Sequence, residues 1–82
     1  MSAGELLQGL ADPTRTPFAL WAPQLSEALA AYNAPTPGPE LSWLSWALQV
    51  SALPEMVELG CPDPRGFSGW QNWAVALNQV IS

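Results

Sequence analysis

The sequence predicts an all-α fold of three to four short helices joined by proline-rich loops, and two observations lead to it. Apolar residues recur at helical spacing in segments rich in alanine and leucine, and no stretch alternates convincingly with period two. Seven of the nine prolines lie in three connecting segments, residues 12–17, 33–39 and 60–66. The 82 residues suffice for one small domain over residues 1–82, arranged as a small orthogonal bundle or an extended helical array.

The first helical segment is short and begins at a predicted capping box. Ser2 followed by Glu5 matches the pattern in which each residue satisfies a backbone N–H of the other. Leu6, Leu7 and Leu10 follow at a spacing that gives the segment one apolar face.

The second segment, about residues 18–32, contains Pro23. Since proline is favoured in the first turn of a helix and disfavoured inside one, we expect a turn or 3₁₀ piece over residues 18–21 and a true helix beginning at Pro23. The residues that would share its apolar face are Leu25, Ala28, Leu29 and Tyr32.

The third segment is expected to begin near Pro39 or Glu40, and Pro54 either ends it or starts a further turn through Leu59 that Gly60 caps. The fourth segment opens at Ser68 as the predicted N-cap. The apolar residues of the third segment are Trp43, Trp46, Ala47, Val50 and Leu53; those of the fourth are Trp70, Trp73, Ala74, Leu77, Val80 and Ile81.

A degenerate repeat, aromatic-x-x-Trp-Ala-x-x-[Leu/Val], runs through the three longer segments with a period of roughly 25 residues. Its positions share one helix face, and the small alanine lets a neighbouring helix or ring approach closely. Either three core helices are filled with tryptophan, or the pattern is a duplication that docks the same kind of partner surface. The copies are Phe18, Trp21, Ala22, Leu25; Trp43, Trp46, Ala47, Val50; and Trp70, Trp73, Ala74, Leu77.

Five tryptophans are many for so small a core, because burying each one removes about 150–250 Å² from water and its N–H still needs an acceptor. Two interpretations are open: a tightly packed tryptophan core in which each indole N–H bonds a loop carbonyl, or a set of half-exposed interface anchors. The candidate protein-binding residues are Trp21, Trp43, Trp46, Trp70, Trp73 and Leu77.

The composition argues against catalysis and against a cofactor or metal. Without a histidine, imidazole-dependent acid–base and triad chemistry is excluded, and one cysteine offers too few ligands for a metal site. Cys61 is interpreted as a small apolar plug in a loop. Glu55 and Glu58 are closely spaced, but they favour a helix start rather than a catalytic carboxylate pair. We therefore expect a protein that is not an enzyme.

Charge narrows the range of partners. The formal net charge is −5, and the two basic residues, Arg15 and Arg65, lie in separate loops. Such a chain lacks the basic face that nucleic acids and anionic membrane surfaces require. No uncharged stretch is long enough to span a membrane, and the N-terminus lacks the basic region of a secretory signal, so we expect folding in a reducing cytoplasm.

The C-terminal segment resembles a short helical motif near the C-termini of tail fibre assembly proteins and related tail accessory proteins of tailed bacteriophages. The matching residues are Trp70, Trp73, Val75, Leu77, Asn78 and Val80. The resemblance covers about a sixth of the chain and implies a tail- or fibre-associated protein without catalytic residues. This sequence departs from the family pattern at Trp73, where the family usually has tyrosine followed by arginine.

The resemblance implies a structural or assembly protein of a tailed bacteriophage, in the virion or the host cytoplasm. A chain of apolar helices without catalytic groups suits binding to a larger protein, such as a tail or fibre subunit. A second copy of the chain is another candidate partner. The alternative is a small acidic inhibitor, encoded by phage or host, that occludes a regulatory or nucleic-acid-binding protein. A third option is a carbohydrate-binding domain in which exposed tryptophans stack on sugar rings beside Gln71, Asn72 and Asn78.

Overall fold

The computed structural model describes residues 3–38 and 42–81, and all the regular secondary structure in those ranges is helical, which confirms the all-α prediction. Five α-helices occur there rather than three to four, because Pro54 starts a helix of its own. The α-helices are α1 (Ala3–Leu7), α2 (Phe18–Ala28), α3 (Trp43–Ser51), α4 (Pro54–Leu59) and α5 (Trp70–Ile81); 3₁₀ turns cover Ala30–Tyr32 and Pro64–Gly66.

The helices form a small bundle rather than an extended array. Helix α1 packs against α2, α4 and α5, and α3 packs against α4 and the 3₁₀ turn at Pro64–Gly66. The principal dimensions are 30 × 23 × 22 Å, which leaves one core that all five helices enclose. Of the predicted apolar face of the first segment, Leu7 of helix α1 is buried in that core and Leu10, beyond the end of the helix, packs at its edge. Leu6 is only partly buried and does not belong to the core, contrary to the prediction. Ser2, the other half of the predicted capping box, lies outside the described residues.

Helix α2 corrects the prediction made for Pro23. The helix runs without interruption from Phe18 to Ala28, and Pro23 lies inside it rather than at its first position. A proline there deprives the carbonyl of Ala19, four residues earlier, of its helical N–H. Both Ala19 and Pro23 are exposed, so solvent can hydrogen-bond that carbonyl. Burial of Trp21, Ala22 and Leu25 on the opposite side holds the helix together across the proline.

The second segment ends near Tyr32 as predicted, but its α-helix stops at Ala28 and a 3₁₀ turn completes it. The 3₁₀ turn carries the chain to Tyr32, and Asn33 then takes the left-handed conformation with φ of 62°. Asparagine is one of the few residues other than glycine that adopts this conformation readily. Leu25 and Leu29 are fully buried, and Ala28 and Tyr32 pack at the edge of the core, as their shared face predicted.

Helices α3 and α5 both begin later than predicted. Helix α3 starts at Trp43, because Ser42 is the N-cap and its Oγ accepts a hydrogen bond from the backbone N–H of Ser45 at 3.2 Å. Pro39 and Glu40, where the start was expected, lie outside the described residues. Helix α5 starts at Trp70, one residue too late for Ser68 to be its N-cap. The hydroxyl of Ser68 instead accepts a hydrogen bond from the Asn72 amide at 3.1 Å.

Helix α4 confirms the second alternative for Pro54, in which the proline starts a further helical turn that runs through Leu59. Pro54 occupies the first turn, where its missing N–H costs nothing, and Gly60 ends the helix with φ of 89°. The N–H of Cys61 then bonds the carbonyl of Met56 at 3.0 Å, which closes the helix end.

The proline inside α2 makes a stability prediction. Pro23→Ala restores the missing helical hydrogen bond at an exposed position, so we expect the free energy of unfolding to rise by about 1–2 kcal/mol, as measured by urea denaturation. Pro17→Ala is the matched control, because Pro17 is also exposed but sits at the N-cap with a φ of −61° that suits proline. An unchanged or lower stability for Pro23→Ala, relative to this control, contradicts the prediction.

Candidate protein-binding surface

The structure divides the six predicted binding residues into two groups. The side chains of Trp21, Trp46, Trp73 and Leu77 have 0% exposure and lie in the core. Trp43 and Trp70 pack against that core but keep part of their surface outside. Within a single chain, only these last two therefore present tryptophan surface to a partner.

The repeat is a core pattern in each of its three copies. Its last three positions, tryptophan, alanine and leucine or valine, are fully buried everywhere, whereas its first aromatic position is only partly buried. This division follows from helix geometry, because one side of the stripe meets the bundle axis and the other reaches the edge. The buried positions are Trp21, Ala22, Leu25, Trp46, Ala47, Val50, Trp73, Ala74 and Leu77; the edge positions are Phe18, Trp43 and Trp70.

The three buried tryptophans form a triangle at the centre of the bundle. The ring centroids of Trp21 and Trp46 are 6.2 Å apart, those of Trp21 and Trp73 are 6.0 Å apart, and those of Trp46 and Trp73 are 6.1 Å apart. All three pairs meet edge to face, with interplanar angles of 82–90°. This arrangement sets the positive edge of one ring against the negative face of the next, which favours it over parallel stacking.

Two of these indoles are hydrogen-bonded to the proline-rich connectors. Trp46 Nε1 donates to the carbonyl of Pro35 at 3.0 Å, and Trp73 Nε1 donates to the carbonyl of Pro62 at 2.9 Å. In both cases the acceptor lies eleven residues before the tryptophan. The connectors are thereby fixed to the core, and two of the three buried indoles bond a loop carbonyl, as the interpretation of a packed tryptophan core expects. The equal spacing from proline to tryptophan was the signal that could have identified Pro35 and Pro62 as the acceptors.

Trp46 has a second hydrogen-bond partner in the core, whereas the indole N–H of Trp21 has none among the described residues. The hydroxyl of Ser26, the buried polar residue of α2, donates to Pro35 O at 2.9 Å and accepts from Trp46 Nε1 at 3.2 Å. Trp21 Nε1 is also buried, but no atom of the described residues accepts its hydrogen bond. The first copy of the repeat therefore lacks the connector bond that the other two possess.

An aromatic edge extends from the triangle to the surface at Phe18. The ring centroid of Phe18 is 5.3 Å from that of Trp70 and 5.6 Å from that of Trp46, and Trp70 is 5.6 Å from Trp21. Phe18 and Trp70, both first positions of the repeat, are therefore neighbours at the edge of the core.

A shallow groove of about 310 Å³ begins at this aromatic edge, between α2 and the second connector. We call it the Phe18 groove; its lining is apolar and consists of Phe18, Ala19, Pro23, Pro37 and Gly38. At Pro23 it adjoins a second groove of about 480 Å³, whose lining is more polar and includes Glu27, Asn33 and Thr36. Phe18 was noted in the sequence only as a repeat position, and no local pattern indicates that Pro37 and Gly38 return to α2.

Both arginines lie beside an aspartate in their own loop. Arg65 contacts Asp63 at 2.9 Å, and Arg15 lies 4.0 Å from Asp12. The hydrogen bond from the Arg65 side chain lowers the pKa of Asp63, and the hydrogen bond from the Thr14 backbone N–H lowers that of Asp12. With these charges offset locally, the net charge of −5 is carried by the five glutamates.

Cys61 is placed as an apolar plug rather than as a nucleophile. Its thiol is partly buried and lies 3.6 Å from the carbonyl of Pro62. Burial raises the pKa of the Cys61 thiol to about 12, so the reactive thiolate is scarce at neutral pH. Among the described residues, no three histidine, cysteine, aspartate or glutamate side chains group together as metal ligands would.

Comparison with known proteins assigns no relative to this chain. No family model matches it, and no significant match was found among curated proteins or solved structures. In the part of the chain that the structure describes, no helix has both the length and the apolar character needed to cross a membrane.

The indole hydrogen bonds make a comparative stability prediction. Trp73→Phe and Trp21→Phe remove similar ring volume from the core, but only Trp73→Phe also removes a hydrogen bond, which leaves the Pro62 carbonyl with the weak Cys61 thiol as its donor. We expect Trp73→Phe to destabilise the protein by about 1 kcal/mol more than Trp21→Phe. Thermal unfolding of both variants measures the difference, and equal or reversed losses of stability contradict the role given to the connector bond.

The Cys61 environment makes a pH prediction. Folding raises the pKa of this thiol from its usual value of 9.0 to about 12. The free energy of unfolding is therefore unaffected by this group below pH 9 and falls as the pH rises from 9 towards 12, because ionisation then favours the unfolded chain. At pH 8 we expect the folded protein to react with an aromatic disulfide reagent much more slowly than the guanidinium-unfolded protein. Equal rates at pH 8 contradict the prediction.

Proposed function

We propose that the protein is a non-enzymatic structural or assembly protein of a tailed bacteriophage virion that binds a larger tail, baseplate or fibre subunit. The observation that carries the binding role is the Phe18 groove beside the partly exposed ring of Trp70. An aromatic edge opening into an apolar, proline-lined groove is the type of surface on which protein interfaces concentrate their binding energy.

The partner surface differs from the one that the tryptophan count suggested. Trp46 and Trp73 hold the bundle together and cannot reach a partner without unfolding it. Binding therefore uses the edge positions of the repeat, Phe18 and Trp70, with Trp43 as a further anchor. The groove surface is mostly apolar, so an apolar side chain of the partner fits it.

The phage assignment rests on the motif in α5. Trp73 and Leu77 of that motif face the core, while Val80 is 39% exposed and Trp70 reaches the surface. The motif thus combines a folding role with side chains that reach the surface, as expected of a short helix that both packs and docks.

A second candidate function is the acidic inhibitor, and the charge distribution favours it. Both arginines lie beside aspartates of their own loops, and the remaining five acidic residues are glutamates. A protein with this charge attracts basic surfaces over long distances, which speeds association with a nucleic-acid-binding partner.

Ala19→Arg tests the proposed function, because it places a long charged side chain in the Phe18 groove. We expect binding to tail or fibre subunits of the phage genome that encodes the chain, measured by native mass spectrometry after co-expression, to weaken at least about tenfold. Ala31→Arg is the matched control, since Ala31 is also exposed and lies outside the groove.

The dependence of binding affinity on salt concentration distinguishes the two candidate functions in the same experiment. Binding anchored by aromatic and apolar surface changes little between low and high ionic strength, whereas binding driven by charge weakens markedly. A chain that remains monomeric with every tail and fibre subunit, or equal effects of Ala19→Arg and Ala31→Arg, overturns the proposal.

A further inference from the structure

We propose a second docking surface, on helix α4, that fits a cationic amphipathic segment of a partner protein. It shares no residue with the Phe18 groove, and it does not depend on a phage origin. We call it the α4 patch and define it as Pro54, Val57, Glu58, Gly60 and Val80.

Helix α4 turns an apolar residue outward. Pro54, Val57 and Glu58 are exposed and lie at positions i, i+3 and i+4, which share one helix face. Met56, by contrast, is fully buried and attaches the helix to the core. The Val57 side chain is 64% exposed, the highest value for any large apolar residue that the structure describes.

Helix α5 places a second exposed valine, Val80, next to Gly60 at the end of α4. A Cβ placed on Gly60 would lie 3.9 Å from Cγ1 of Val80, and the N–H of Gly60 bonds the carbonyl of Val57 at 3.1 Å. Gly60 is itself exposed and has no side chain, so the surface between the two valines is open. The patch therefore offers two apolar contacts, one from α4 and one from α5, to the apolar face of a partner helix.

Charge decides the kind of occupant. Glu58 lies on the patch, Glu55 lies on the same helix, and Glu5 lies on α1, which packs against α4. Both arginines are in the loops of Asp12 and Asp63, outside the patch. A second copy of the chain would set Glu58 against the same acidic surface in a symmetric dimer, which like-charge repulsion disfavours. A segment with leucine-like residues on one face and lysine or arginine beside them complements both the valines and the glutamates.

The test uses the full chain and a synthetic amphipathic leucine–lysine peptide of about 18 residues, which makes five helical turns of about 3.6 residues. We expect binding by isothermal titration calorimetry, and Val57→Ser should weaken it about fivefold to tenfold through loss of one buried apolar contact. Leu20→Ser is the matched control, because Leu20 is 60% exposed on α2 and lies outside the patch; it should change the affinity less than twofold.

A second pair of variants tests the charge. Glu58→Gln should weaken binding more than Glu27→Gln, which removes the same charge from α2, and this difference should shrink as salt is added. Amide shifts in NMR spectra should centre on Gly60. The proposal of the α4 patch is overturned if the peptide does not bind at low salt or if the two variants of either pair have equal effects. Amide shifts centred on the Phe18 groove would also overturn it. None of these results bears on the Ala19→Arg experiment, so the two proposals fail separately.

Discussion

The edge-to-face contact among Trp21, Trp46 and Trp73 is the constraint on which the rest of this structure depends. One tryptophan comes from each of α2, α3 and α5, and the rings meet at centroid distances of 6.0–6.2 Å. Each buried indole removes about 150–250 Å² from water, so three of them supply much of the core that an 82-residue chain can build. The alanine after each tryptophan is fully buried, which leaves room for the rings to approach.

This triangle also determines the course of the connectors. A buried indole N–H needs an acceptor, and in two cases that acceptor is a proline carbonyl in the preceding loop. The second connector is thereby held against α2, where Pro37 and Gly38 form one wall of the Phe18 groove. The candidate binding surface is thus a consequence of core hydrogen bonding, since the same bond to Pro35 stabilises the core and shapes the groove beside it.

Local sequence rules succeeded where the local cause was sufficient. Pro54 and Gly60 set the two ends of α4, because proline is favoured in the first turn of a helix and glycine readily takes the left-handed conformation that ends one. They failed at Pro23, where buried side chains on the opposite face outweigh one lost hydrogen bond, and at Ser68, whose hydroxyl bonds a side chain instead of capping α5. Likewise Phe18 and Trp70 became neighbours only through packing, so no spacing along the chain could indicate the groove.

The sequence by itself determined that the chain is helical and which face of each helix is apolar, because both properties follow from residue spacing within a single segment. Only the tertiary structure decided which aromatic rings remain at the surface. Trp46 and Trp43 lie on the same stripe of α3, yet one is fully buried and the other only partly so. Their difference depends on where α2, α5 and the connectors pack around that stripe, and this arrangement is set by contacts between residues far apart in the chain.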